Sequence, residues 1–329
     1  MTLADEPTLV FGGCVPGPMK LNYLRLSFLN SKKTMFEESF MLDQTDIRTR
    51  RELLQGMAYG TIASLFSPHW LRAAGDGREL VFEVKNEFGS APVENIAALL
   101  KSVAQEFWRN CPNTKFLGQG ISIYRNKDYP ITHFKHENDR IVIGLNTENL
   151  FWSQYAYQFA HEFCHALIDH THENQRKWHL TGHANQWLDE TLCETASLFA
   201  LRAMSTTWKT NPPYPNWKSY APKLAEYVQN RAEEPQHQRP ANTTFSEWFR
   251  QELPSLREKP TQRAKNTIIA FELLKLFEVE PAGWESVTAL KLGDRDIQKP
   301  LQAHLEEWKS NTDEQVRPFV AKVMRLLES

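Results

Sequence analysis

One uninterrupted run, residues 151–168, constrains the fold of this 329-residue chain more than any other stretch. It contains neither proline nor glycine, the two residues least compatible with a helix interior. Its large apolar side chains recur at steps of four, the spacing that gives an α-helix one continuous apolar face: Phe151, Tyr155, Phe159, Phe163 and Leu167. The run therefore predicts a helix that is buried along one face, with Asn149 or Ser153 capping its start.

Two histidines lie on this helix four residues apart, His161 and His165, and Glu162 directly follows the first. Residues four apart lie one above the other, so both rings can bind the same metal ion. Glu162 is about a quarter-turn away, where its carboxylate can take a proton from metal-bound water. The pattern His-Glu-x-x-His on a helix is typical of zinc hydrolases, and the alternative is a core helix that carries two histidines without a metal.

A second helical pattern, residues 187–201, supplies acidic side chains. A catalytic zinc ion needs a third protein ligand and an open position for water. Glu190 and Glu194 lie four residues apart and so on one face of this helix. Either glutamate can be the third ligand, with the other supporting a ligand histidine.

Residues 150–205 resemble the gluzincin zinc metallopeptidases, the group that contains thermolysin and the neutral aminopeptidases. In that group a second helix carries Asn-Glu or a similar pair, whose glutamate is the third ligand, and an acidic residue four positions later supports a ligand histidine. Asp189 and Glu190 match the pair, and Glu194 matches the supporting acid. The resemblance implies one Zn²⁺ ion bound by His161, His165 and Glu190, with Glu194 and Asp189 around these ligands.

The resemblance also implies an activity, hydrolysis of peptide bonds in a peptide or protein substrate, with Glu162 as general base on zinc-activated water. Two departures restrict it: 24 residues separate His165 from Glu190, and no Gly-x-Met-Glu-Asn run is present to bind a free amine. Both favour an endopeptidase or oligopeptidase. The alternative is a non-catalytic zinc-binding protein that retains the scaffold for binding or structure. An oxyanion-stabilising residue stays open among three side chains: Tyr214, Tyr220 and His237.

The long connection between the two helices contains four histidines, His170, His172, His179 and His183. They indicate either a second metal site or a solvated loop. Two cysteines, Cys164 and Cys193, lie on the predicted ligand helices, where they either approach one another or pack as small buried residues.

Upstream of the motif, strand patterns at 79–85, 121–124 and 140–145 and an amphipathic helix at 93–111 predict an α+β fold. We expect a zincin-like catalytic domain, with a small mixed sheet beside the active-site helices. In gluzincin-like domains an edge strand often lines the cleft, and residues 141–145 are our choice for that edge. A paired interior strand is the alternative, because a continuous apolar run also fits burial on both faces.

Three prolines within 210–216 break the chain and separate a predicted catalytic domain, 76–209, from a mostly α-helical C-terminal lobe, 210–329. Helical patterns follow at 217–231, 245–252, 262–278, 301–309 and 318–328. The N-terminal extension, 1–48, has no assigned role. Residues 49–75 begin with paired arginines and end in small residues, which is typical of a twin-arginine export signal, and the alternative is a buried helix.

The net charge of −2, with both signs mixed along the chain, gives no reason to expect a nucleic-acid partner. No stable membrane span is expected, because polar and glycine residues dilute the apolar part of 49–75. The location is periplasmic or extracellular if 49–75 is an export signal, and cytoplasmic otherwise.

Overall fold

A computed structural model describes residues 80–85, 87–118, 120–173, 182–294 and 296–328, which belong to one compact unit, Ala74–Ser329. The predicted extension, 1–48, and the predicted export segment, 49–75, lie outside the described residues. Within the described residues, no helix combines the length and the apolar character needed to cross a membrane.

The β-structure is one four-stranded mixed sheet. Its strands are β1 (Phe82–Val84), β2 (Ile121–Arg125), β3 (Ile131–Thr132) and β4 (Ile141–Leu145). The spatial order is β1-β2-β4-β3, in which β1, β2 and β4 are parallel and β3 is antiparallel to β4. Strand β3 therefore forms one edge of the sheet.

The predicted edge strand, 141–145, is wrong, and the alternative of an interior strand is confirmed. Strand β4 pairs with β2 on one side and with β3 on the other. All five of its residues are buried, which explains the continuous apolar run Ile-Val-Ile-Gly-Leu. The edge β3 has only two residues, too few to show an alternating pattern.

Nine α-helices occupy most of the described chain, and the predicted α+β class is confirmed. They are α1 (Val93–Trp108), α2 (Trp152–Asp169), α3 (Gln186–Thr207), α4 (Ala221–Glu233), α5 (Phe245–Glu258), α6 (Arg263–Val279), α7 (Trp284–Val287), α8 (Leu301–Asn311) and α9 (Arg317–Glu328). Short 3₁₀ helices lie at Pro215–Tyr220, Pro235–His237 and Pro281–Gly283. The short helix α7 has no counterpart among the sequence predictions.

Helix α2 confirms the helix predicted from the apolar spacing, with ends one residue later. The four apolar side chains inside it, at steps of four, are fully buried: Tyr155, Phe159, Phe163 and Leu167. Burying each of them stabilises the fold by roughly 2–3 kcal/mol. The opposite side of α2 carries His161 and His165, which retain some solvent exposure.

The predicted cap of α2 is wrong. Phe151 occupies the cap position and makes no side-chain capping bond. The Asn149 side-chain oxygen instead accepts hydrogen bonds from the backbone N–H and the hydroxyl of Ser90, each 3.1 Å long. Ser153 lies inside the first turn, with its hydroxyl 3.0 Å from that of Tyr220.

Helix α3 is buried on nearly all sides, between α2, α4 and α6. Its buried hydroxyls are satisfied by its own backbone: Thr191 and Thr195 each donate a 2.7 Å hydrogen bond to the carbonyl four residues earlier. Both predicted ligand helices thus belong to the core. Helices on either side of residue 210 contact α3, and the division into lobes at 76–209 and 210–329 stays a prediction.

Candidate metal centre

The structure brings together His161 and His165 of α2 with Glu190 of α3. Each histidine presents its Nε2 atom to a different oxygen of Glu190, at 3.6 Å for His161 and 3.8 Å for His165. The three side chains are 14%, 20% and 21% exposed, respectively, so the cluster reaches solvent without lying on the open surface.

These separations suit atoms that share a metal ion better than atoms that bond to each other. Direct N–H···O hydrogen bonds in proteins are about 2.7–3.2 Å long. Two ligands of a tetrahedral zinc ion, each about 2.1 Å from the metal, are about 3.4 Å apart. The observed 3.6 and 3.8 Å are close to that value, although they are measured to two different oxygens of Glu190.

The carboxyl of Glu190 has a pKa below its ordinary value. Burial disfavours its charged form, but the neighbouring imidazoles of His161 and His165 outweigh that effect and lower the pKa of its carboxyl. Glu190 is therefore ionised at neutral pH. A carboxylate and two imidazoles form the ligand set of many catalytic zinc sites.

Glu194, one turn further along α3, is enclosed by protein and only 1% exposed. Its Oε1 atom accepts hydrogen bonds from the Tyr157 hydroxyl, from Thr267 Oγ1 at 2.8 Å and from Arg231 Nη2 at 3.0 Å. Although burial opposes ionisation, Arg231 and Arg263 hold the pKa of this carboxyl well below its usual range. With one oxygen fully used, Glu194 is poorly placed to be a metal ligand.

The other oxygen of Glu194 faces the Nδ1 side of His161, one of the predicted ligands. Its Oε2 lies 3.8 Å from His161 Nδ1. Within the described part of the chain, both atoms are buried and neither has a hydrogen-bond partner. A histidine that binds metal through Nε2 carries its proton on Nδ1 and usually donates it to a carboxylate or carbonyl. Glu194 therefore faces the nitrogen that the predicted supporting acid would contact, at a distance longer than a hydrogen bond.

Glu162 lies beside this cluster and is only 5% exposed. The hydroxyl of Thr132, on the edge strand β3, is 2.7 Å from the backbone oxygen of Glu162 and 3.0 Å from its side-chain Oε2. Thr132 is itself buried. The carboxylate of Glu162 is therefore held between its helix and the edge of the sheet.

The thiol of Cys193 also lies near the two histidines. Cys193 is fully buried, and its sulfur and one nitrogen from each of His161 and His165 all lie within 4.8 Å of one another. Burial and the neighbouring Cys164 raise the pKa of the Cys193 thiol well above its ordinary value. Both cysteines are free and buried, which agrees with the expectation that they pack as small core residues.

Asp189, the other half of the Asp-Glu pair, belongs to a separate cluster. Its Oδ2 lies 2.8 Å from Lys291 Nζ and 3.4 Å from His183 Nε2. Lys291 also contacts Asp169, the last residue of α2, at 2.9 Å. Asp189 thus takes part in an ion-pair cluster that joins the ends of the two ligand helices, whereas the carboxylate that faces a ligand histidine is Glu194.

The histidines of the long connection are dispersed. His170 Nδ1 lies 3.1 Å from His136 Nε2, His183 belongs to the Asp189 cluster, and His179 lies outside the described residues. In the part of the chain that the structure describes, the three His, Cys, Asp or Glu side chains whose ligand atoms all lie within 4.8 Å of one another are those of His161, His165 and Cys193, a group that does not include Glu190. A second metal site in the connection has no support from the described residues.

The three residues considered for an oxyanion role lie in different surroundings. Tyr220 contacts Ser153 in the first turn of α2, and His237 Nδ1 is 2.7 Å from the backbone oxygen of Arg231. The Tyr214 ring packs edge-on against Trp217. These contacts select none of the three, and the oxyanion role stays unassigned.

Several residues of the site were not found from the sequence. Tyr157 was detectable, because it lies four residues before His161 on the same helix face. Arg231 and Thr267 come from α4 and α6, far along the chain, and carry no local signal. Thr132 lies on a strand too short to be predicted.

Comparison of the chain with protein-family models, with curated proteins and with solved structures found no match.

Proposed function

We propose that this protein is a zinc-dependent metallopeptidase with a gluzincin-type, zincin-like catalytic domain. The observation that carries the proposal is the placement of His161 Nε2 and His165 Nε2 at 3.6 and 3.8 Å from the two oxygens of Glu190. His161, His165 and Glu190 would hold one Zn²⁺ ion. When bound, the ion supplies Lewis acidity, which polarises a substrate carbonyl and acidifies water.

Glu190 is the proposed third ligand rather than Glu194 for two reasons. It faces both histidine Nε2 atoms, whereas Glu194 faces the Nδ1 of His161. It also keeps 21% exposure, whereas Glu194 is 1% exposed and uses one oxygen for three hydrogen bonds. Glu194 then orients His161 and keeps its proton on Nδ1.

Glu162 is the proposed general base. Two observations support this role: Glu162 directly follows His161 on α2, and its side chain is only 5% exposed. The proton that it takes is then available for the leaving amine. An extended peptide would add along β3, the sheet edge whose Thr132 contacts Glu162. Endopeptidase or oligopeptidase activity on a peptide or protein substrate fits such binding.

The test is cleavage of unfolded casein and of peptides blocked at both ends. We expect the purified protein to cleave both, to lose activity with a chelator and to regain it with zinc. Glu162→Gln should keep its zinc and lose turnover by at least about 100-fold, because the carboxamide cannot accept the proton. Glu258→Gln, at an exposed position on α5, is the matched control and should behave as wild type.

Full activity of Glu162→Gln would exclude the role of this residue. Chelator-insensitive cleavage would exclude a zinc enzyme. Stepwise release of free amino acids from unblocked peptides, with blocked peptides intact, would count against an endopeptidase.

One observation favours a second function, a non-catalytic zinc-binding protein. Cys193 is near enough to His161 and His165 to supply a further ligand, and a zinc ion with four protein ligands is typical of structural sites. Such an ion would join α2 to α3 and leave no position for water. Stoichiometric zinc together with no cleavage of casein or blocked peptides would establish this function instead.

A further inference from the structure

The contact between Thr132 and Glu162 joins the sheet edge to the helix that carries the proposed base. Thr132 pairs with Ile143 of β4, so its backbone is fixed by the sheet. Its buried hydroxyl is 2.7 Å from the carbonyl oxygen and 3.0 Å from the carboxylate Oε2 of Glu162. The same side chain thus contacts both the main chain and the reactive group of one residue.

In this contact Thr132 is the hydrogen-bond donor and Glu162 is the acceptor. A threonine hydroxyl has one hydrogen to donate, and both neighbouring atoms of Glu162 are acceptors. The hydrogen is therefore shared between them or alternates. Threonine is β-branched and stiff at its first side-chain torsion, so the hydroxyl cannot easily turn away. A carboxylate tied in this way loses most of its freedom to rotate from the reacting position.

We propose that Thr132 is a positioning residue for Glu162. The hydroxyl engages one carboxylate oxygen of the base and leaves the other to take the proton. This inference rests on the proposed function, since it assumes that Glu162 acts as a base. It adds a link between the edge where a peptide would bind and the group that would promote its cleavage.

The first experiment measures cleavage of a blocked fluorogenic peptide by Thr132→Val, which keeps the side-chain shape and removes the hydroxyl. We expect kcat to fall by about 10- to 100-fold and KM to change little, since a base misplaced by a fraction of an ångström still permits binding. Thr132→Ser, which restores the hydroxyl, should recover most of the loss. Zinc content should equal that of wild type in both variants, because the contact involves no proposed ligand.

Thr147→Val is the matched control. Thr147 is also buried, and its hydroxyl contacts Gln154 rather than the base. We expect its kcat to match wild type. If Thr132→Val is too unstable to purify, Thr132→Ala replaces it with the same expectation.

A second readout does not depend on catalysis. Thermal unfolding of the zinc-free protein is compared for wild type, Thr132→Val, Glu162→Ala and the double variant. Both single variants remove the contact between the hydroxyl and the carboxylate, and only Thr132→Val also removes the contact between the hydroxyl and the backbone oxygen. Because the carboxylate contact is shared, the double variant should lower Tm by less than the two separate shifts combined.

The outcomes separate the two proposals. If wild type cleaves peptides but Thr132→Val matches Thr147→Val, the positioning role is wrong and the proposed function stands. Additive Tm shifts, or no recovery in Thr132→Ser, would also overturn the positioning role. If wild type itself cleaves nothing, the proposed function fails, and the positioning role fails with it.

Discussion

Asp189 and Glu190 are neighbours near the start of α3, yet their carboxylates belong to two different clusters. Asp189 shares Lys291 with Asp169 at 2.8 and 2.9 Å, and all three side chains are at most 7% exposed. Glu190 faces His161 and His165 at 3.6 and 3.8 Å and is 21% exposed. The atoms of the first cluster are in direct contact, whereas those of the second are separated by more than a hydrogen-bond length.

The difference shows that two adjacent residues of one helix can belong to separate clusters, one joined by ion pairs and one that faces two histidines. The opposite charges of the Asp189 cluster favour each other's ionised forms: although burial opposes ionisation, Asp169 and Asp189 raise the pKa of Lys291, and Lys291 lowers the pKa of Asp189. The ends of α2 and α3 are thereby fixed to each other. Glu190, whose carboxylate faces His161 and His165, lies one residue further on.

The largest effect, on the free energy of unfolding, is expected from removing the lysine of the Asp189 cluster. Lys291→Met removes the shared cation and leaves Asp169 and Asp189 buried without it, so the free energy of unfolding should fall by about 3–5 kcal/mol. Chemical denaturation of the zinc-free protein measures this loss. The matched control is Lys223→Met, whose partner Glu226 is half-exposed and whose loss should cost at most about 1 kcal/mol. Equal losses in the two variants would show that the Asp189 cluster does not fix the helices.

A smaller effect, on zinc affinity, is expected from a change at Glu194, which faces His161. Glu194→Gln removes the negative charge that faces His161 Nδ1, and zinc affinity should fall by about 10- to 100-fold. Competition with a chromogenic chelator measures the affinity. Glu285→Gln is the control, because Glu285 is also buried but accepts its hydrogen bonds from Asn113 and Thr114 instead. Zinc affinity unchanged in Glu194→Gln would contradict the supporting role of Glu194.

The sequence predicted what depends on local spacing. Helix α2 and the common face of His161 and His165 follow from steps of four, and the observed helix differs from the prediction by one residue at each end. The same spacing could not separate Glu190 from Glu194, since both lie on one face of α3. What separates them is Arg231 and Thr267, which come from helices that the fold alone brings to Glu194.

Pairing in the sheet was the part that the sequence could not determine. The apolar run of β4 fits an interior strand and an edge strand over a core equally well, and only its partners β2 and β3 decide. The edge strand beside β4 is β3, which is two residues long and follows a proline. Thr132 was missed for this reason, although it contacts the carboxylate of the proposed base, Glu162.

The zinc content of the purified protein tests the central claim most directly. Elemental analysis after dialysis without chelator should give one zinc ion per chain for wild type and for Lys223→Met. His161→Ala and Glu190→Ala should each lose the ion, because two remaining ligands bind zinc weakly. A wild-type chain without stoichiometric zinc, or unchanged zinc in His161→Ala, would contradict the account.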